Sequence, residues 1–260
     1  DIAALGTVAD VVPLQGENRT IVALGLRHMA KHQRIGLRQL AAVAGLALDA
    51  VSAEKIGFQL GPRMNAAGRL DDALLALQLL LSECPDETGR IAKILNEANH
   101  ERRAIEQKIF EEALEEIEAV FRAGQRSIVL ARKGWHPGVI GIVASRIQAR
   151  FHRPTTIISL DDAGVGRGSC RCNSGFNMVA SLTACHQYLE QYGGHRAAAG
   201  LTVLEKNLQA FRDALEQEAL RQLGDGELTD ELPIDCLASF SEIDPQLVHS
   251  LDRLAPVGHM

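Results

Sequence analysis

Four parts of this sequence combine glycine with groups that can hold a phosphate or a metal. They are GTVAD (6–10), GPRMNAAGRL (61–70), GWHPGVIGIVASRI (134–147), and VGRGSCRC (165–172) taken with GGHRAAAG (193–200). In the first, an apolar run ends on Asp10. A carboxylate at the carboxyl end of a strand can bind a metal or a substrate, and its plainer role is to cap a turn. In the second, Gly61, Pro62 and Gly68 predict a loop that carries Arg63, Asn65 and Arg69. The planar fork of arginine suits a phosphate, although pairing with Asp71 and Asp72 would occupy the same charges.

The third part sets His136 beside the lone Trp135, ahead of a helix whose first turn holds Gly138 and Gly141. Small residues there let an anion reach the free N–H groups of the helix end; a structural histidine is the alternative. In the fourth, Ser169 and Arg171 lie two apart on a predicted strand and so share a face. A hydroxyl beside a guanidinium makes a phosphate clamp, and an ordinary exposed edge strand has the same pattern. GGHRAAAG surrounds Gly193, Gly194 and His195 with side chains so small that something must come close to the backbone, either a neighbouring element or a ligand.

Cys170, Cys172, Cys185 and His186 do not spell a zinc site. A CxC on a strand turns both sulfurs to the face opposite Arg171, and adjacent Cys185 and His186 on a helix point apart. Neither a GxSxG elbow nor a P-loop is present.

These groups must be positioned by elements, and the apolar pattern outlines them. Residues 1–14 predict a strand, and residues 20–48 short helices joined at Gly36 and Gly45. The strongest period runs over 86–123 (Ile91, Ile94, Leu95, Ala98, then Ile105, Ile109, Ala113, Ile117, with Phe110, Leu114 and Phe121 alongside) and predicts a long helix joining two domains. After Gly124 the pattern reads strand (127–131), helix (138–151), strand (155–160), a unit that implies a parallel pair in an α/β sheet. A glycine-interrupted strand over AGVGRGSCRC, an amphipathic helix over 178–191, a strand over 201–205 and a helix over 206–222 follow.

The composition is that of an ordered globular protein, 46% hydrophobic and 23% charged over 260 residues. A net charge of −6 excludes a basic coat but not a local arginine cluster. Five cysteines point to reduced thiols and a cytoplasmic setting, with no apolar run of the roughly 20 residues a membrane helix needs. One Trp and two Tyr leave little for base stacking. The chain opens on Asp1 in strand-like sequence and stops at LAPVGHM on a turn signal, which reads as a fragment.

In this order, ALGTVADVVPL, PRMNAAGRL, NEANHERRAIE, GWHPGVIGIVASRI, GSCRC and GGHRAAAG resemble the DHH phosphoesterase superfamily, and within it the branch of single-strand DNA exonucleases. The resemblance implies the end of a DHH domain (1–85), a connecting helix (86–123), a DHH-associated α/β domain with a mixed sheet (124–224) and a tail leading to an OB-fold (225–260). It implies phosphodiester hydrolysis, 5′ to 3′, with two Mn²⁺ or Mg²⁺ ions that activate a water and stabilise the leaving oxygen. Asp10 would be a metal ligand, with the other ligands upstream and the fragment alone inactive.

By the same resemblance Ser169 and Arg171 hold a terminal 5′ phosphate, assisted by Arg63 or Arg69, and His195 faces the scissile phosphate. Asn65, His136, Gly193 and Gly194 join the substrate-binding set. Partners would be single-stranded DNA with a 5′ end, a single-strand-binding protein and a helicase, with no membrane and a monomeric state. Cys172 stands where the family commonly has serine, and Cys170 where it has a small residue. Alternatives are an oligonucleotide or nucleotide phosphatase of the superfamily, and a non-catalytic nucleic-acid-binding scaffold.

Overall fold

The structure is a computed structural model that describes residues 1–70, 73–120, 124–173, 175–224, 226 and 234–258. Asp71, Asp72, Phe121 and most of the polar GDGELTDE segment lie outside the described residues. The chain divides into two compact units, one formed by Asp1–Arg102 with Pro233–Met260 and the other by Arg103–Leu232.

The first unit is helical: α1 (Ile2–Ala9), α2 (Gly16–Lys31), α3 (Ile35–Val43), α4 (Ala53–Lys55), α5 (Gly61–Leu70), α6 (Leu74–Leu81) and the start of α7 (Pro85–Val120). The strand predicted over 1–14 is therefore wrong. The Asp1 carboxylate accepts from the Ile2 N–H at 2.7 Å and caps a helix, and Ala4 and Leu5 turn one face into the core. A contiguous apolar run reads the same for a buried helix turn as for a strand. Gly36 is not a joint either but lies inside α3, pressed against the Leu79 carbonyl.

The loop predicted over 61–70 is also wrong. It is α5, entered from a π turn over Ile56–Leu60. Pro62 has no N–H to give the ladder, so the wider turn just before it absorbs the missing bond. The buried face of α5 is made of Gly61, Ala66 and Ala67, too small to register as an apolar period. Leu37, Leu40, Ile56, Leu60, Leu79, Ile91 and Leu95 fill the core of this unit.

Helix α7 has 36 residues, about 54 Å at 1.5 Å per residue. Its first part buries Ile91, Ala92 and Leu95, and its last part buries Ile109, Ala113 and Ile117.

The second unit contains β1 (Ile128–Lys133), α8 (Ile140–Phe151), β2 (Thr155–Leu160), β3 (Val165–Arg171), α9 (Met178–Ala184), β4 (Leu189–Gly194), β5 (Ala198–Leu204) and α10 (Leu208–Leu223). The five strands form one mixed sheet in the order β1-β2-β3-β5-β4, parallel between β1 and β2 and antiparallel elsewhere. One face carries Ile158, Cys170, Leu201 and Val203 against Met178, Leu182, Phe211 and Leu215 of α9 and α10. Alternation sends Ile157, Ser169 and Gly200 to the other face, where α8 lies over β2 and β3.

The helix predicted over 178–191 is corrected: α9 stops at Ala184, a 3₁₀ turn spans His186–Tyr188, and the remainder is strand β4. Leu189–Gly194 has no helical apolar stripe and pairs with β5. A final helix, α11 (Pro245–Asp252), belongs to the first unit. Among the described residues no helix is long and apolar enough to cross a membrane.

Candidate functional site

The mixed sheet and α8 bring the third and fourth of the predicted parts together. The His136 carbonyl receives the N–H groups of Val139 and Ile140, and its Nδ1 accepts from the Gly138 N–H at 3.1 Å. His136 thus orders the loop ahead of α8, whose N-cap is Val139. Beside it Trp135 is buried and donates its indole N–H to Glu112 at 2.7 Å, tying this loop to α7.

In the first turn of α8, Gly141 lies over β3. A methyl group added there would sit 3.0 Å from Ser169 Oγ and 3.2 Å from an Arg171 guanidinium nitrogen. Glycine at 141 therefore keeps room for the clamp that the spacing of Ser169 and Arg171 suggests. The guanidinium Nη1 donates to Ser169 Oγ at 3.0 Å and to the Cys170 carbonyl at 2.8 Å, so the pair is already oriented.

Arg171 sits opposite Ala198 in the sheet, and the Ala198 carbonyl accepts from the His195 N–H at 2.7 Å. GGHRAAAG covers the end of β4, the tight turn over 195–197 and the start of β5. Gly194 takes φ +141°, which L side chains rarely adopt, and His195 is exposed beyond it. The end of β3 is bonded to this turn: Cys172 N–H donates to the Ala197 carbonyl at 3.0 Å, and its Sγ lies 3.3 Å from the Arg196 carbonyl. The clamp, Gly141 and the His195 turn thus meet at one end of the sheet.

The remaining predicted residues belong to the first unit. Asp10 is not at a strand end. It is the exposed C-cap residue of α1, its own N–H donating to the Gly6 carbonyl. A carboxylate at a helix C-terminus faces the negative end of the helix dipole, the opposite of what stability favours. It is followed by Val11 at φ +55°, a strained conformation for a β-branched residue. Both features suit a carboxylate kept for a cation. One carboxylate is not a two-metal centre, however, and among the described residues no group of three or more His, Cys, Asp and Glu is placed to hold a metal ion.

Arg63 ties α5 to α7, donating Nε to Asn96 Oδ1 at 2.9 Å and Nη1 to the Gln59 carbonyl at 2.7 Å. Asn65 and Arg69, four apart on the helix, are exposed and line one shallow hollow with Gly68.

One residue escaped the sequence reading. Arg167 continues the period of two through Ser169 and Arg171, so it lies on the same face of β3, and it is exposed. The alternation in RGSCR carried that signal.

Cys170, Cys172 and Cys185 are buried on the opposite side. Burial pushes the Cys170 thiol up to about 12 and that of Cys185 up to about 11, and raises that of Cys172. Only the exposed Cys84 and Cys236 should therefore react with a maleimide at pH 8, and all five after unfolding. Because folding holds these three protons more tightly, their stabilising contribution is complete below the ordinary thiol pKa of about 8.5 and declines as pH rises beyond it. Thiol counting and denaturant melts at rising pH check both points.

The mixed sheet with its GGH turn defines a class: residues 124–220 match the DHHA1 domain. Across the wider chain, the single-stranded-DNA-specific exonuclease RecJ of Bacillus subtilis (strain 168) is 37% identical over 259 residues, 99% of this chain and 33% of the relative. Crystalline RecJ from Thermus thermophilus in complex with Mn²⁺ matches with a TM-score of 0.86 and 32% identity, over 98% of this chain and 37% of that one. Its complex with Mg²⁺ matches with a TM-score of 0.86 and 34% identity, over 98% and 39%. The chain is thus similar to RecJ exonucleases along nearly its whole length, and it spans between 33 and 46% of the length of the curated relatives it matches.

Proposed function

We propose that this chain is the substrate-gripping part of a metal-dependent 5′ to 3′ exonuclease that digests single-stranded DNA. The observation that carries the proposal is the meeting of Gly141, Ser169, Arg171 and the His195 turn at one end of the sheet, in a chain whose relatives are named for that activity. Ser169 and Arg171 hold the terminal 5′ phosphate, and His195 faces the phosphodiester to be cut. Asn65 and Arg69 are the exposed polar groups of the first unit that serve the same strand, while Arg63 is spent on the α5–α7 link. Asp10 contributes one metal-binding carboxylate, and the other ligands come from residues outside this sequence. The protein acts in the cytoplasm as a monomer, in DNA repair and recombination, where a single-strand-binding protein and a helicase supply and expose its substrate.

The test uses 5′-phosphorylated oligonucleotides, single-stranded and duplex, with this chain alone and with the chain extended to the full length of its relatives. Expected are Mn²⁺-dependent digestion of single strands by the extended protein, and binding without digestion by this chain. Equal binding of duplex and single strands, or full digestion by this chain alone, would overturn the proposal.

A further inference from the structure

Beside the clamp the sheet is bare. Gly193 of β4 and Gly200 of β5 are cross-strand partners, and both are exposed. A methyl group added at Gly193 would meet nothing within 4 Å; at Gly200 it would meet only the Gly168 carbonyl, at 3.7 Å. Neither takes a positive φ, which separates them from Gly194. Folding therefore does not require glycine at either position, and glycine weakens a strand interior relative to alanine. By contrast Gly166 and Gly168, in the neighbouring strand, would each press a methyl group within 3.0 Å of a buried side chain.

Over these two glycines lies an open hollow of about 400 Å³, walled by Arg167, Gln191, Tyr192 and Thr202. The Arg167 side chain makes no hydrogen bond or ion pair among the described residues. It is in phase with Ser169 and Arg171 along β3, about 13 Å from Arg171 at some 3.3 Å per residue. A phosphate at Arg167 is thus a different one from the phosphate held by Arg171.

We infer that Gly193, Gly200 and Arg167 form a second subsite, which receives an internal phosphodiester of the strand whose terminal phosphate sits on Ser169 and Arg171. The bare glycines let the sugar–phosphate backbone lie against the sheet, and Arg167 neutralises the internal phosphate from the side. The subsite recognises charge and backbone shape. This inference rests on the functional reading above.

The experiment measures binding of 5′-phosphorylated single strands in which one internucleotide phosphate at a time is a neutral methylphosphonate. The proteins are the unaltered chain, Arg167→Gln, Gly200→Val, and Arg221→Ala as an exposed-arginine control. Expected for the unaltered chain is a loss of about tenfold at one internal position. Arg167→Gln should be about tenfold weaker on natural DNA, insensitive to the methylphosphonate at that same position, and still selective for a 5′ phosphate. Its dependence on salt, log K against log concentration, should fall by about 0.7. Gly200→Val should keep its melting temperature and lose about tenfold in binding, while Arg221→Ala matches the unaltered chain.

An Arg167→Gln profile parallel to the unaltered one at every position overturns the subsite and leaves the clamp standing. So does a stable Gly200→Val variant that binds normally. Failure of the unaltered chain to bind single strands, or to prefer a 5′ phosphate, instead overturns the functional reading and the subsite with it.

Discussion

Replacing Arg171 with Ala weakens binding of 5′-phosphorylated single strands by about tenfold to a hundredfold, and of 5′-hydroxyl strands far less. The magnitude follows from losing charge-assisted hydrogen bonds to a dianionic group, at about 1.5–3 kcal/mol each. The pair is preorganised, since Arg171 already donates to Ser169 Oγ and to the Cys170 carbonyl, so little ordering cost offsets the gain on binding. Arg171→Lys should fall between the two: it keeps the charge but loses the fork. Titrations with matched 5′-phosphate and 5′-hydroxyl oligonucleotides decide the matter. Equal losses on both ends would remove the assigned role, and a melting curve of the variant separates that outcome from unfolding.

Gly194→Ala should damage the protein more than any other single change in the GGH turn. A methyl group there would lie 2.5 Å from the Ala198 carbonyl oxygen and 2.6 Å from the Ala199 Cα, both backbone atoms that cannot swing aside. The φ of +141° adds strain of its own, and together the two effects cost on the order of 3 kcal/mol. The His195 turn loses its register, so binding falls along with stability. Gly193→Ala, one residue earlier, meets open space and should melt within a degree or two of the unaltered chain. Paired thermal melts of the two variants test this contrast; equal destabilisation would refute it.

How far the sequence announced this architecture depended on how each element is buried. TTIISL was bounded to the residue, because β2 is covered on both faces and reads as an unbroken apolar run between polar ends. The first fourteen residues were misjudged for the same reason: IAALGTVA is continuous in apolarity, and only its packing against α2 decides for helix. In α5, Gly61, Pro62 and Gly68 gave strong loop signals, while the alanines that face the core left no counter-signal.

At the site, Ser169 and Arg171 were legible from a period of two. Arg167 obeys the same period but stood outside the GSCR core of the motif. The approach of Gly141 to Ser169, and the lack of any structural need for glycine at 193 and 200, are facts of tertiary packing that no local pattern records.

The order of the sheet leaves two strands with a free side, β1 and β4, and each free side is a template on which another chain could add a strand. At the start of β1 side chains of α10 engage polar backbone groups. Arg212 donates Nε to the Val129 carbonyl at 3.1 Å, and the Glu216 carboxylate receives the Arg126 and Ser127 N–H groups at 2.7 and 2.8 Å. On β4 the defence is of another kind: a register shift between Leu189 and Gln191, the charge of Glu190, and two glycines of low strand propensity. Gly193, which leaves room for a ligand, thus also discourages edge-to-edge aggregation, so filling it with a β-branched residue would raise the tendency of the protein to self-associate.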